Sequence, residues 1–451
     1  MGTLPARIDA GLVALTAAAM AFAAVLFLPQ VLGDGDIYWH IAAGRWMLDN
    51  TAVLRIDPFS LTKIGHPWQT LGWLGDIATA LAYVGFGWNG VLLLFAAVAA
   101  LAAGVLARAL SRRFDAPALL AILALVFAAA TPALLARPYL LALPLLVIWL
   151  AGLAGPRDGP PSLKLIVVMI LWANLHASFL IGLMLAALFG LEAVLRDRRA
   201  WRGWSLFVGA ALIASFVTPY GMDTFVEAAR LLGPAGLALL AGLSGVAAAV
   251  SVTVRATAVA RPLRIAALIW LGFLAWQNGS DRILFAVAAP MLVAEPLARL
   301  LSQHGLAQRL RWRDAVVFGV ILAAAAGLRL AMPAERGDDA FTPTSALAQV
   351  PAAVLHAPVL NEAAFGGYLI FNDIRPFIDS RSAFYGPAFL KRYQRMIRPD
   401  QDFLAASLMR YRIRWTIFAP GNPVVHAMDG MKGWHRLYGD TFAVVHVRDD
   451  D

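Results

Sequence analysis

The chain has 451 residues, of which 60% are hydrophobic and only 14% charged, well below the roughly 25% charged residues of a soluble domain, and its mean hydropathy is +0.70. That composition excludes a disordered chain, a coiled coil and a disulfide-stapled module, and the absence of cysteine excludes thiol catalysis and thiolate metal sites. The excess of 37 Lys+Arg over 28 Asp+Glu, +9 in all, would suggest nucleic acid in a soluble protein, but here its distribution reads as membrane topology and no nucleic-acid partner is expected.

A membrane span needs roughly 20 mostly apolar residues. Eleven stretches meet or approach that, near 10–32, 88–107, 117–135, 139–154, 163–176, 177–195, 203–219, 234–252, 264–277, 283–301 and 314–332. The first has a short leader bearing Arg7 and no small-residue cleavage site before Gly33, so it is expected to be an anchor. Residues 70–86 are read as a non-spanning interfacial helix. With that assignment, Arg108, Arg112 and Arg113, Arg157 and Lys164, the Arg196–Arg202 cluster, Arg255, Arg261 and Arg264, and Arg309, Arg311 and Arg313 all join Arg7 on one side. The opposite side carries only Arg45, Arg55, Lys63, Arg137, Arg230 and Arg282 between spans. The positive-inside rule makes the basic side cytoplasmic, the N-terminus inside and the C-terminus outside.

Two domains are expected: 1–332, a transmembrane module with an outer-face loop at 33–87, and 333–451, a small outer-face α/β domain. In the second, short strands are read at Val359-Leu360, Pro376-Phe377-Ile378, Thr416-Ile417-Phe418 and Phe442 to Val447, with helical stretches at 361–371, 387–396 and 402–411 and a hairpin around Tyr438-Gly439-Asp440.

Polar groups beside a bilayer are costly to retain, and the densest group follows the first span. It comprises Asp34, Asp36, Tyr38, Trp39, His40, Arg45 and Trp46, then Asp57 and Trp68. Two carboxylates one residue apart suit a general base with a tuning neighbour, or a divalent cation, magnesium or manganese, held by Asp34 and Asp36; the sequence requires no other cofactor. If 36–48 is helical, Asp36 and His40 share a face. The competing reading is that Asp34 or Asp36 caps an interfacial helix and the tryptophans form a headgroup belt. At later span ends, Arg137, His176 and Arg282 are candidates to neutralise a phosphate leaving group, and Tyr139 and Asn174 to contact substrate, against the alternatives that the arginines snorkel to lipid and Asn174 or His176 satisfies a neighbouring helix. In the last domain, Gly366-Gly367 suits a close backbone approach to a ligand or a bend before a helix, and Asp379 and Arg381 either bind ligand at a strand end or pair with each other.

This order of features resembles the GT-C superfamily of integral-membrane glycosyltransferases. Trp68-Gln69-Thr70-Leu71-Gly72-Trp73-Leu74 through Gly85-Phe86-Gly87 to Arg108 is similar in layout to protein O-mannosyltransferase-like and aminoarabinose transferase-like members. Asp36-Ile37-Tyr38-Trp39-His40, Gly44-Arg45-Trp46 and Asp57-Pro58-Phe59-Ser60 further resemble an uncharacterised bacterial group. The resemblance implies a polytopic α-helical membrane protein of about eleven spans with a C-terminal α/β domain. It also implies transfer of a sugar, with inversion, from a polyprenyl-phosphate donor to a lipid, glycan or protein acceptor on the outer face of a bacterial inner membrane. Asp36 matches the family's acidic residue, with Asp34 second and His40 beside them; Asp34-Gly35-Asp36 replaces the family's adjacent acidic pair. Direct displacement at the anomeric carbon would have Asp36 accept the acceptor proton while Arg137, His176 or Arg282 stabilises the departing phosphate. Two other classes fit the composition: a lipid or anionic-solute transporter, which would show paired halves with broken spans, and a non-catalytic partner in envelope polysaccharide assembly.

Overall fold

The computed structural model describes residues 9–155, 159–253, 261–332, 334–398 and 400–449, so Arg7, Arg157 and Arg255 of the topology argument lie outside the described residues. The chain forms two compact units: 1–32, 71–75 and 85–333 make the first, and 33–70, 76–84 and 334–451 the second.

The first unit is helical. Its elements are α1 (Ala10–Phe27), residues 73–75 and 85–110 of α3 (Trp73–Leu110), α4 (Ala116–Ala130), α5 (Pro138–Leu153), α6 (Ile166–Leu175), α7 (Phe179–Arg196), α8 (Trp201–Ala214), α9 (Met222–Thr253), α10 (Pro262–Gln277), α11 (Arg282–Leu300) and α12 (Trp312–Ala331); α2 (Asp36–Asn50) belongs to the second unit. Every expected stretch thus contains a helix. Among the described residues, seven helices are long and apolar enough to cross a membrane, while Pro138–Leu153, Leu163–Leu175 and Pro262–Gln277 are apolar but shorter, and α8 has 14 residues. The shortening has local causes. Pro138 and Pro262 open their helices at the first position, where a missing N–H costs nothing, and His176 leaves the helical region to end α6. Within α3, Phe86 and Gly87 depart from helical geometry; Gly87 has φ +59, which a side chain would disfavour. The break separates 73–85 from the apolar run at 88–110, at the end expected for the interfacial helix.

Asp9 and Asp115 cap α1 and α4 by accepting the amides of Leu12 and Ala118 at 2.9 and 3.0 Å. Three buried tryptophans tie helices together: Trp149 donates to the Gly182 carbonyl at 2.8 Å, Trp172 to the Ser178 hydroxyl at 3.0 Å and Trp270 to the Gly236 carbonyl at 3.0 Å. By contrast, α12 buries no side chain and exposes Val316, Val320, Ile321 and Leu328, an apolar surface suited to lipid and not to water.

The second unit contains a four-stranded sheet of β1 (Val359–Asn361), β2 (Trp415–Phe418), β3 (Trp434–Gly439) and β4 (Val444–Arg448), in the order β1-β2-β4-β3. β1 runs parallel to β2, and β4 is antiparallel to both β2 and β3, with β3 and β4 forming the closing hairpin. Strand side chains alternate between two cores. Leu360, Phe418 and Val444 pack on one face with Tyr385, Tyr393 and Leu404, and Val359, Trp415, Ile417 and Val445 pack on the other with Phe365 and Leu369. Helices cover both faces: α13 (Thr344–Ala348), α14 (Ala352–Leu355), α15 (Gly366–Phe371), α16 (Ser382–Tyr385), α17 (Pro387–Met396), α18 (Gln401–Arg410) and α19 (Pro423–Asp429). One expected strand does not form. Pro376-Phe377-Ile378 runs beside β1, but the Asn361 side-chain amide makes the link, accepting from Phe377 N at 2.8 Å and donating to Ile378 O at 2.8 Å. Pro376 has no N–H to give a ladder.

Residues 55–68 fold back on themselves through an isolated bridge between Ile56 and Pro67, turning at Gly65 with φ +75. The loop is pinned to the sheet layer by Leu61 N donating to Pro376 O at 2.9 Å and the Thr62 hydroxyl to Phe377 O at 2.8 Å. The segment after the first span is therefore part of the same compact unit as the C-terminal residues.

Candidate active site

Asp36 is the first residue of α2 and is half-buried. Its backbone N–H is accepted by the buried Asp34 carboxylate at 3.2 Å, and Asp36 stands in the first turn, an end of the helix that favours negative charge. The approach to this turn is tightly clamped. Arg336 donates to the Asp34 carbonyl at 3.2 Å and to Asp339 at 2.9 Å and lies 4.6 Å over the Tyr38 ring, while the Tyr38 and Thr342 hydroxyls share a 2.9 Å bond. Burial raises the Tyr38 phenol well above its usual value, keeping it protonated. A Cβ on Gly367 would meet the Gly35 carbonyl at 2.5 Å, so this glycine admits the backbone of the acidic segment, a contact within the chain in place of the ligand approach expected of the Gly366-Gly367 pair.

His40, one turn further along α2, is held through Nδ1 by Asp76 at 2.6 Å, and the other Asp76 oxygen accepts from the Thr70 hydroxyl at 2.5 Å. Asp76 is fully buried. A carboxylate on one ring nitrogen fixes the imidazole's orientation and leaves the other nitrogen to act. Neither Asp76 nor Thr70 was singled out in the sequence, although a lone carboxylate at the head of an apolar helix is a recognisable signal.

The Trp39 ring lies 3.6 Å from His40 and 5.9 Å from Trp68, and Arg381 sits 4.3 Å over Trp68. Arg381 donates to Asp57 at 2.9 Å and twice to Asp379, at 2.8 and 2.7 Å, and Tyr385 donates to Asp379 at 2.8 Å. Asp379 and Arg381 therefore do pair with each other, and Asp57 completes the network. All four groups are buried; burial, reinforced by Asp379, holds the Tyr385 phenol well above its usual value. Trp39, His40, Asp57, Trp68, Asp379 and Arg381 thus form one contiguous set. The Trp39 indole N–H is buried without an acceptor among the described residues. Arg45 stacks between Tyr83 at 4.9 Å and Phe371 at 5.1 Å, a packing position.

The remaining candidates lie in the helical unit. Asn174 accepts from the Trp73 indole at 2.8 Å and donates to the Ile170 and Val217 carbonyls at 2.8 Å each, which engages its whole amide in helix packing. His176 Nδ1 meets the Ser178 hydroxyl at 2.9 Å, and its ring stands edge-on 6.4 Å from Tyr139, whose hydroxyl donates to Ala133 O at 2.5 Å. Arg137 precedes α5 and is half-buried, whereas Arg282 opens α11 in an exposed position. No group of three or more His, Asp or Glu side chains suited to a metal ion occurs among the described residues.

No family model and no curated protein matches the sequence. A solved structure does match: the apo oligosaccharyltransferase of Archaeoglobus fulgidus superposes with a TM-score of 0.55 over 90% of this chain and 69% of that one, at 11% identity. The fold is oligosaccharyltransferase-like. At that identity the likeness shows the fold and leaves the chemistry to the site.

Proposed function

We propose that this chain is a membrane glycosyltransferase that moves a sugar from a polyprenyl-phosphate-linked donor to a lipid, glycan or protein acceptor of the envelope. In this reading it works on the outer face of a bacterial inner membrane, with Asp36 as base. The observation that carries the proposal is the clamped start of α2: Asp34 accepts the Asp36 amide, and the Gly35–Gly367 approach and Arg336 hold the turn that presents the two carboxylates. An activated acceptor oxygen attacks the anomeric carbon as the bond to the donor phosphate breaks, and the proton passes to Asp36. Trp39, with its buried donor, and His40, oriented by Asp76, are the groups assigned to the sugar, and Arg137, His176 and Arg282 of the helical unit are those assigned to the departing phosphate. Asp57, Asp379 and Arg381 serve by shaping the floor under Trp68.

Asp34 and Asp36 are also the pair assigned to a magnesium or manganese ion. With one Asp34 oxygen already accepting an amide, the coordination shell would be completed by donor phosphate oxygens and water, as is usual for magnesium. The transporter alternative gains no support from the charged groups buried in the helical unit, since Glu192, Arg261 and Glu295 lie within one or two turns of helix ends.

The test is transfer by purified, lipid-reconstituted protein offered radiolabelled polyprenyl-phosphate sugars and extracted envelope acceptors. Asp36→Asn is expected to lose about 100-fold or more of the rate, the scale of a general base, with donor binding retained. Equal activity in parent and variant would remove Asp36 from the mechanism.

A further inference from the structure

At the opposite end of the helix that carries Arg282, the helical unit holds a second polar centre that the proposed reaction does not use. Arg282 and Arg299 sit at the two ends of α11, about 25 Å apart at 1.5 Å per residue. Around the Arg299 end, Arg261 bonds both Glu192 and Glu295, Arg264 bonds Glu192 at 3.2 Å and Glu295 at 3.5 Å, and Arg299 bonds Glu295 at 2.8 Å. Arg112 and Arg113 stand beside this group, and Arg113 feels Glu295, Arg261, Arg112 and Arg299. Among the described residues, three guanidinium groups therefore share two carboxylates with two more beside them, and the Nε atoms of the buried Arg261 and Arg264, like one Glu192 oxygen, have no hydrogen-bond partner there. Positive charge in excess of its partners, taken partly out of water, calls for an anion.

Two cavities meet at these arginines. One, of about 490 Å³, is polar and is walled by Arg112, Arg113, Glu295, Arg299 and Gln303. The other, of about 460 Å³, shares Arg112 and Arg113 but is otherwise lined by Leu110, Ala151, Met291 and other small apolar side chains. The segments that line them are firmly held. Arg113 donates to Ala154 O at 3.2 Å, Gln303 accepts from Asp115 N at 3.3 Å, and Leu306 N bonds Ser111 O at 2.8 Å. A polar, cation-rich chamber joined to an apolar one at the end of a helix bundle is the shape of an amphiphile with an anionic head, and basic pockets between membrane helices are known to take such headgroups.

We propose that this paired cavity binds a phosphate-headed lipid, with Arg112, Arg113 and Arg299 gripping the phosphate through charge-assisted hydrogen bonds and the apolar chamber receiving the start of an acyl chain. The proposal is independent of the transferase reading, because none of these residues takes part in it.

The test titrates the full chain, purified in uncharged detergent, with phosphatidylglycerol, phosphatidylcholine and sodium pyrophosphate, read by native mass spectrometry and by thermal unfolding. Phosphatidylglycerol is expected to remain bound and raise the unfolding temperature, with affinity at least ten-fold above the other two. The Arg112→Gln/Arg299→Gln double variant, altering two exposed side chains, is expected to lose about ten-fold in that affinity. Ala151→Leu, which narrows the apolar chamber without touching a charge, should lose a similar factor. Equal binding of phosphatidylcholine, pyrophosphate binding as tight as phosphatidylglycerol, or unchanged affinity in either variant would each overturn the lipid assignment.

Discussion

Arg381 shows what a single residue decides in this molecule. Its guanidinium makes bonds to two carboxylates that are 0% and 1% exposed, Asp57 and Asp379, and it covers Trp68. Removing it leaves two buried carboxylates uncompensated, a change that costs about 3–5 kcal/mol where a buried pair is broken. Arg381→Ala is therefore expected to lower the unfolding temperature of the detergent-purified chain sharply, whereas Arg395→Ala, which breaks an exposed pair with Asp400, should change it little. A fall of equal size in both would show that the buried network is not what holds the 55–68 loop. The motif Asp57-Pro58-Phe59-Ser60 was legible as a unit, but its partner lies 324 residues away, a separation no local pattern encodes. His40 makes the same point: helical spacing places it on the face of Asp36, yet its Nδ1 is held by Asp76.

Among the elements, β4 joins structure to pH. His446 is 1% exposed and meets Asp429 at 2.9 Å, and Asp429 also bonds Arg436 of the neighbouring β3. Burial holds the His446 imidazole below its ordinary value of 6.5, so as pH falls past 6.5 the unfolded chain takes up a proton that the folded chain resists, and stability declines. Hydrogen bonding to Arg436, with a further bond from His446, depresses the Asp429 carboxyl below 3.8; its contribution is present above that value and is lost only at lower pH. Between pH 7.5 and 5.5 the unfolding temperature should thus fall by way of His446, and His446→Gln should flatten that slope. An unchanged slope would assign the dependence to other groups. Strands β1, β2 and β4 were readable because their apolar alternation matches two buried faces. Pro376–Ile378 has strand-like residues but no ladder, since the Asn361 amide takes the bonds, and a side chain acting as a strand is invisible to periodicity.

At the scale of the whole molecule, the charge asymmetry of the loops makes a topology that can be tested directly, because the chain contains no cysteine. Lys432→Cys, in the second unit, should react with a membrane-impermeant maleimide in intact spheroplasts. Arg199→Cys, in the basic connection between α7 and α8, should react only after permeabilisation. The reverse pattern would invert the orientation and place Asp36 on the face where nucleotide sugars are available, removing the reason for a lipid-linked donor.

By itself the sequence determined the membrane class, the position of each apolar helix and the presence of a small α/β domain, because hydrophobic periodicity and Gly or Pro punctuation act over a few residues. It also marked Asp34-Gly35-Asp36 as the densest chemistry, because charge beside a membrane span is costly and therefore conspicuous. Only the tertiary structure decided that Asp34 accepts the Asp36 amide, that Asp76 holds His40, that Arg381 closes on Asp57, and that Arg261 and Arg264 meet both Glu192 and Glu295. Those outcomes depend on which side chains meet across tens or hundreds of residues, and burial sets the strength of each meeting by removing the water that would otherwise satisfy the charges.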